Sequence, residues 1–350
     1  MKALVIGDTH LDNSIPGLLD KQLETLDKLV ESNRPKIVVF LGDIFHKRKP
    51  NPEVIVKTFK FFKRVAVKPG LSNIFVLRGN HDSDNKSDDG LTALSILEYP
   101  GSKVKVITHP YMDPRFGFAF IPHYENEEEL LLQCKIISDY SKELLVFGHF
   151  GYNGCLNSTG HFDSDIDQSV IKNRTILGHI HEYHKENNIT ILGTPWTTNF
   201  GEVDYPKYVG ILESEDGTKW SELKLQEVDF GVRHYVAPLE SLESLKEEID
   251  DPKYFTILRV ILSKFSDDTS NDLRAQIYNE YAVGHVSLKF EPIFDKKLNN
   301  RLSDFDPQKA LAHIDSTIID KYLEEQASTI PTEVLKAGLD KITEYGNQES

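Results

Sequence analysis

The sequence predicts an α/β fold, and three observations predict it. Short apolar runs ending in Gly-Asp, Gly-Asn-His-Asp or Gly-His recur through the first two-thirds of the chain. Amphipathic stretches of helical period lie between the early runs. The length of 350 residues, at roughly 150 residues per domain, leaves room for two or three domains with real cores.

The runs come first. Leu4-Val5-Ile6-Gly7-Asp8, Ile37-Val38-Val39-Phe40-Leu41-Gly42-Asp43 and Ile74-Phe75-Val76-Leu77-Arg78-Gly79-Asn80-His81 are rich in Val and Ile and bounded by Gly and polar residues. They read as strands buried on both faces. Leu144-Leu145-Val146-Phe147-Gly148-His149 and Thr175-Ile176-Leu177-Gly178-His179 repeat the form. Leu19, Leu23, Leu26, Leu29 and Val30 recur at three- and four-residue steps, one face of a helix that can pack on a sheet. A second helix is expected to open at Asn51-Pro52, a cap followed by proline where the missing N–H has no intrahelical partner. Apolar runs at 189–192, 209–212 and 220–225 are expected to extend the sheets.

From Val232 the texture changes to strands at 234–237, 254–262 and 285–290, with helices at 242–249 and 271–281 between them. This predicts a small α/β cap. Beyond Asp295 the pattern is helical: Asp306-Pro307 opens one helix with Leu311, Ile314, Ile318 and Tyr322 on a face, and Pro331 opens another with Leu335, Leu339 and Ile342. The expected division is 1–228, 229–295 and 296–350.

Composition narrows the function. The formal charge is −15, with 40 Lys+Arg against 55 Asp+Glu, which argues against coating nucleic acid or an anionic membrane by bulk charge. The acid excess is uneven. Residues 44–70 carry Lys47, Arg48, Lys49, Lys57, Lys60, Lys63, Arg64 and Lys68 against the single acid Glu53, whereas 301–350 hold ten acidic and five basic residues. The basic stretch is a candidate phosphate-backbone contact, with Lys47, Arg48 and Lys49 its strongest members and a solvated helix face the alternative for the rest. Two cysteines, Cys134 and Cys155, make neither a disulfide framework nor a structural zinc site. The first apolar run is too short for a signal segment or a membrane span, so a cytoplasmic protein is expected.

The chemistry gathers behind the strands. Asp8-Thr9-His10, Gly42-Asp43, Gly79-Asn80-His81-Asp82, Gly148-His149 and Gly178-His179-Ile180-His181 each follow an apolar run. Ends of parallel strands open on one edge of a sheet, so the five clusters can converge. Carboxylate, amide oxygen and imidazole without thiolate suit Mn²⁺, Fe²⁺ or Zn²⁺ in an open catalytic site. The donors are too many for one ion, and two ions about 3.5–4 Å apart would clamp a phosphate. Singly, Gly-Asp is an ordinary turn; the five in order are a strong signal.

In that order the motifs resemble the calcineurin-like metallophosphoesterases. The segments Gly42 to Pro50 (GDIFHKRKP) and Gly193 to Glu202 (GTPWTTNFGE) are similar to the SbcD-type double-strand-break repair nucleases and the recombination nuclease subunits of large tailed phages. The resemblance covers residues 8 to about 202. It implies two mixed sheets flanked by helices, one metal held by Asp8, His10, Asp43 and His181, and a second by Asp43, Asn80, His149 and His179. It makes His81 the residue beside the scissile phosphate, with His46 near it; in bacterial relatives the position of His46 is often an aspartate. By the same resemblance Asp82 is expected to support the loop or His81 rather than to bind metal.

In function, the resemblance implies a Mn²⁺-dependent DNA nuclease, with Mg²⁺ as the alternative ion, acting 3′ to 5′ on duplex ends and nicking single strands. A DNA-binding cap, an SbcC-type coiled-coil ATPase docking on the C-terminal helices, and dimerisation through the nuclease domain are implied with it. Another calcineurin-like phosphodiesterase or phosphatase, or a non-enzymatic scaffold of the same fold, are the competing readings. His109, His123, His161 and His184 lie outside every motif and read as surface or satisfied core histidines. Phe61 and Phe62 read as core, and Asp163, Asp165 and Asp167 as an acidic loop.

Overall fold

The first strand sets the architecture, because each of its faces meets a different core. In the computed structural model, which describes residues 1–155, 164, 166–262 and 267–290 with no side-chain account of 267–270, β1 (Lys2–Ile6) is buried along nearly its whole length. Side chains alternate across a strand. Ala3 and Val5 therefore join one apolar cluster, and Leu4 and Ile6 another.

Two β–α–β steps build on β1, through α1 (Leu18–Asn33), β2 (Ile37–Phe40), α2 (Pro52–Ala66) and β3 (Asn73–Leu77), and a crossover with a short 3-10 helix at Ala93–Leu97 leads on to β4 (Val104–Ile107). Strands β1 to β4 run parallel. A second series follows: β5 (Tyr111–Asp113), β6 (Phe118–Ile121), α3 (Glu127–Tyr140), β7 (Leu145–His149), β8 (Thr175–Gly178), β9 (His184–Glu186) and β10 (Ile189–Ile191). The chain then returns to the first sheet as β11 (Tyr208–Glu213) and β12 (Lys224–Glu227), both antiparallel to their neighbours. The result is two six-stranded mixed sheets, ordered β12-β11-β1-β2-β3-β4 and β5-β6-β7-β8-β10-β9.

The sheets pack face to face. Val5, Val39, Phe75 and Leu77 of the first meet Phe118, Phe120, Phe147 and Ile176 of the second in one buried cluster. Outside the first sheet, Leu19, Leu26 and Val30 of α1 and Phe61, Phe62 and Val65 of α2 cover Leu4, Val38 and Phe40. Outside the second, Leu130, Cys134 and Ile137 of α3 cover Ala119, Ile121 and Val146. Phe61 and Phe62 are thus core, as expected. Asn51 caps α2 as the sequence predicts, its side chain accepting the Val54 N–H, with Pro52 in the first turn.

Beyond the sheets, β13 (Gly231–Pro238), α4 (Lys246–Ile249), β14 (Tyr254–Leu262), α5 (Asp267–Glu280) and β15 (Val283–Phe290) form a parallel three-stranded sheet with its own core. Its other face carries Val232 and Ile257 into the cluster that contains α1, and Met1–Glu291 is one compact unit. Several boundaries differ from the sequence reading. The expected helix at 242–249 is α-helical only from Lys246 to Ile249, after a 3-10 turn at Leu239–Ser241. The strand expected from Trp220 begins at Lys224, because Trp220 is spent in the inter-sheet cluster, donating its indole N–H to the Phe116 carbonyl. The helices expected within 296–350, and His161, Asp163 and Asp165, lie outside the described residues. No helix among the described residues is long and apolar enough to cross a membrane.

Candidate metal centre

All five polar clusters meet at one edge of the paired sheets. Asp8 and His10 follow β1, Asp43 follows β2, Asn80 and His81 follow β3, His149 closes β7, and His179 and His181 follow β8. Two trios form. In Asp8, His10 and His181, and again in Asp43, His149 and His179, the ligand atoms lie within 4.8 Å of one another. A third set, His10, Asp43 and His81, joins them.

Asp43 stands between the trios. Its Oδ2 lies 3.7 Å from His10 Nε2 and its Oδ1 3.4 Å from His149 Nε2, one carboxylate oxygen turned to each side. Asn80 Oδ1 sits 3.0 Å from both His149 Nε2 and His179 Nδ1. His10 Nε2 and His181 Nε2 face each other at 3.0 Å. Two ring nitrogens aimed at one point can share at most one proton, whereas a cation between lone pairs would suit both.

Backbone strain holds the cluster. His10, Asp43 and His179 have φ of 42°, 47° and 82°, left-handed values that side chains with a Cβ rarely adopt. Gly42 beside them has φ 109°, and a Cβ there would lie 2.3 Å from His149 Nδ1. Cross-loop hydrogen bonds fix these turns. His10 N–H donates to the Asp43 carbonyl at 2.9 Å, and Gln22 of α1 donates to the His10 carbonyl. Asp82, as the resemblance implies, supports the loops: it accepts the N–H groups of Ile44, Phe45 and Gly79. Burial and the Asp43 charge still push its carboxyl up to about 7.

Imidazole tautomers follow from their partners. His149 Nδ1 lies 2.8 Å from the Leu41 carbonyl, which can only accept, so the proton sits on Nδ1 and Nε2 is left as a lone pair facing Asp43 and Asn80. His181 Nδ1 lies 2.8 Å from Glu202 Oε1, leaving Nε2 toward His10. Glu202 is buried and also receives Lys207 Nζ at 2.7 Å, Asn199 Nδ2 at 2.7 Å and the Thr198 N–H. Burial would raise its carboxyl, but the His181 hydrogen bond and the Lys207 charge win and hold it well below the usual carboxylate range.

The donor set fits divalent metal. Asp8 is fully buried, and its Oδ1 has no hydrogen-bond partner among the described residues. Burial and the neighbouring Asp43 charge push that carboxyl well above its ordinary value. A buried, unpartnered carboxylate oxygen beside imidazole lone pairs is short of positive charge. A carboxylate–histidine pair behind one ring, as Glu202 stands behind His181, is the usual support of a metal ligand.

A profile of the calcineurin-like phosphoesterases matches residues 1–198. The chain belongs to this family. The phosphoesterase is also similar to "Exonuclease subunit 1" of Enterobacteria phage T4, 27% identical over 234 residues, which are 61% of this chain and 65% of that protein. It thus spans somewhat less than two-thirds of that relative's length. A solved structure, nuclease MPE of Pseudomonas putida, aligns with 18% identity and a TM-score of 0.28 over 52% of this chain and 61% of that one. Members of the family use divalent metals, and the two trios stand where the family motifs lie in this phosphoesterase.

His81 and His46 sit beside the trios. His81 N–H donates to Asp43 Oδ1 at 2.8 Å, and its Nδ1 lies 2.6 Å from the His46 carbonyl. The two rings stack with centroids 6.1 Å apart. Toward β13, a cavity of about 160 Å³ is lined by His10, Asp12, Gln22, His46, Thr198 and His234.

The basic stretch divides in two. Lys57 and Arg64 of α2, and Lys68 just beyond its end, pair with Asp20, Asp27 and Glu31 of α1, so part of the expected backbone-contact charge is an ion ladder along the two helices. Arg48 is engaged too, bonded to the Asn85 carbonyl and to Glu125. Lys47 and Lys49 are exposed near the metal centre and form no ion pair among the described residues.

Two residues escape sequence reasoning. Glu202 ends the GTPWTTNFGE segment, whose last position is a visible signal with no role attached to it. His123, expected at the surface or in a satisfied core, is in neither place. Its ring centroid lies 6.1 Å from that of His149 and 5.9 Å from that of His179, and both its ring nitrogens lack hydrogen-bond partners among the described residues. Burial and the neighbouring histidines push it down to about 3, a neutral ring. Nothing in the sequence around it carries a signal.

Proposed function

We propose that this phosphoesterase is a divalent-metal-dependent DNA nuclease, with manganese the preferred ion, and that it works as a subunit beside a coiled-coil ATPase of the SbcC type. The observation that carries the reading is Asp43, one oxygen turned to each of two ligand trios, in a chain whose phage relative is named an exonuclease subunit. In this reading Asp8, His10, Asp43 and His181 hold one ion, and Asp43, Asn80, His149 and His179 the other. When bound, such a pair supplies Lewis acidity to a phosphodiester and makes water nucleophilic near neutral pH.

The chain's own residues do the rest. Glu202 and the Leu41 carbonyl set the tautomers of His181 and His149, so the ligating lone pairs are present before any ion arrives. His81 spends its Nδ1 proton on the His46 carbonyl, which orients the ring and leaves Nε2 for a substrate oxygen. Protonated at Nε2, His81 donates to the leaving oxygen; neutral, it accepts. Lys47 and Lys49 flank the centre as the strand-backbone contact, with Arg48 tying their loop to Asn85 and Glu125, and 3′ to 5′ action on duplex ends and nicking of single strands are the expected activities.

The test is nucleotide release from linear DNA with Mn²⁺, with and without the ATPase. Release that needs metal and is lost in His149→Ala supports the reading. A clean metal-loaded protein that turns over a generic phosphodiester but never DNA would place it among the small-molecule phosphodiesterases instead.

A further inference from the structure

A second cavity, about 170 Å³, reaches the candidate metal centre at His179 and is lined by His123, Tyr124, Glu125, Phe150, Gly151 and His179 among others. It is below the ~300 Å³ scale of drug-sized pockets and far above what one ordered water needs. We infer that this cavity is a nucleoside subsite, taking the base or sugar attached to the scissile phosphate. The inference rests on the nuclease reading and deepens it.

Three features choose a nucleoside over a phosphate. The first is charge: Glu125 and Glu127 line the cavity and would repel an anion. The second is shape and surface. Tyr124 and Phe150 contribute buried aromatic wall and Gly151 a side without a side chain, which suits a flat ring. The third is His123. Neither ring nitrogen has a hydrogen-bond partner among the described residues, and Glu125 Oε1 stands off from Nε2 at 3.7 Å. A buried polar group left unpaired is costly, so such groups in folded proteins have a partner, which a ligand can supply. An imidazole presents two ring nitrogens, each able to serve as donor or acceptor, which suits the mixed polar edge of a base or a deoxyribose.

Position agrees with the role. The His123 backbone is clamped at both ends by Arg78, whose carbonyl accepts the His123 N–H and whose Nη2 donates to the His123 carbonyl at 2.8 Å. Arg78 immediately precedes Gly79-Asn80-His81, so it joins the cavity wall to the strand end that carries Asn80. Glu125 is in turn bonded to Arg48, which ties the cavity to the Lys47-Arg48-Lys49 loop. A nucleoside seated here would lie against His179.

The experiment compares thymidine 3′- and 5′-monophosphate with inorganic phosphate as inhibitors of bis(p-nitrophenyl) phosphate hydrolysis by the full-length, metal-loaded protein. DNA cleavage is measured in parallel. The expected result is that the better nucleotide inhibits about tenfold more tightly than phosphate, and that His123→Phe removes this ratio while His123→Gln keeps part of it. The ratio is read within each variant, so a change in basal turnover does not mimic it. A second readout needs no variant: in metal-free protein labelled with ¹⁵N-histidine, thymidine alone should shift the His123 ring signals. Equal inhibition by nucleotide and phosphate in a wild type that cleaves DNA overturns the subsite and spares the nuclease reading. Unmoved His123 signals overturn it as well. A wild type that cleaves no DNA overturns both.

Discussion

His181 and Glu202 are joined by a 2.8 Å hydrogen bond from Nδ1 to Oε1, and the same carboxylate neutralises the buried Lys207. One side chain therefore orients an imidazole of the candidate metal centre and satisfies a buried cation. Glu202→Gln keeps an acceptor for His181 but removes the charge. The expected outcome is a 10–100-fold weaker affinity at one of two metal sites, the usual consequence of losing a ligand's support. Thermal stability should fall with it, because Lys207 is left buried without its counter-charge. Metal titration by calorimetry, with melting followed in EDTA, separates the two effects; unchanged stoichiometry and affinity would remove Glu202 from the metal centre.

His81 provides a different separation. It borders both trios, and the set His10, Asp43 and His81 is itself close enough to hold an ion. If its role is proton transfer, His81→Ser retains two metals per chain and loses hydrolysis by about 10²–10⁴-fold, the range of a general acid or base. Metal content by plasma spectrometry decides between the roles, since loss of an ion would make His81 a ligand.

Gly42 tests the part played by backbone strain. Its φ of 109° is open to glycine, and an added Cβ would press on His149 at Nδ1 and Cγ. Gly42→Ala should displace the ring from the Leu41 carbonyl, lowering metal affinity and melting temperature together. A variant that binds metal normally would show that the turn after β2 relaxes freely.

Much of this is legible in the chain, and the limits have physical causes. The strands are legible because both faces of β1, β2 and β3 are buried, which makes their sequences continuous apolar runs. The clustered polar residues are legible because they follow such runs. The pairing of sheets is not, since Val5 and Leu4 look alike in sequence and only the partner tells which core each enters. Lys57, Arg64 and Lys68 read as a basic face until α1 is placed alongside. His123 is hidden for the same reason: its neighbours His149 and His179 are distant in sequence.

The ion ladder between α1 and α2 makes a prediction about salt. Lys57→Ala should cost at most about 1 kcal/mol of stability, because the pair is exposed and screened, and should leave the salt dependence of DNA binding unchanged. Lys47→Ala and Lys49→Ala should each lower the slope of log K against log salt by about 1 if they contact phosphates. Filter binding in EDTA across a salt series measures both. An altered slope for Lys57→Ala would return the helical lysines to the nucleic-acid surface.

His234 on β13 sets a pH dependence where the three-stranded sheet meets Thr197 and Phe200. Its backbone N–H donates to Thr197 Oγ1, its ring packs edge-on against Phe200, and burial lowers it to about 4. The facing charged groups partly oppose one another, since Glu202 raises the value and Arg259 and Lys207 lower it. A histidine lowered in the folded state binds its proton more readily when unfolded, so between about pH 4 and the ordinary histidine value of 6.5 unfolding takes up protons. Its contribution to stability is complete above about 6.5 and is lost progressively as pH falls toward 4. His234→Gln should flatten that part of the stability curve. Chemical denaturation of both proteins at about pH 7.5 and about pH 5, either side of the ordinary histidine range, measures the difference, in EDTA so that metal release does not intrude. Parallel losses in wild type and variant would assign the acid sensitivity to other groups.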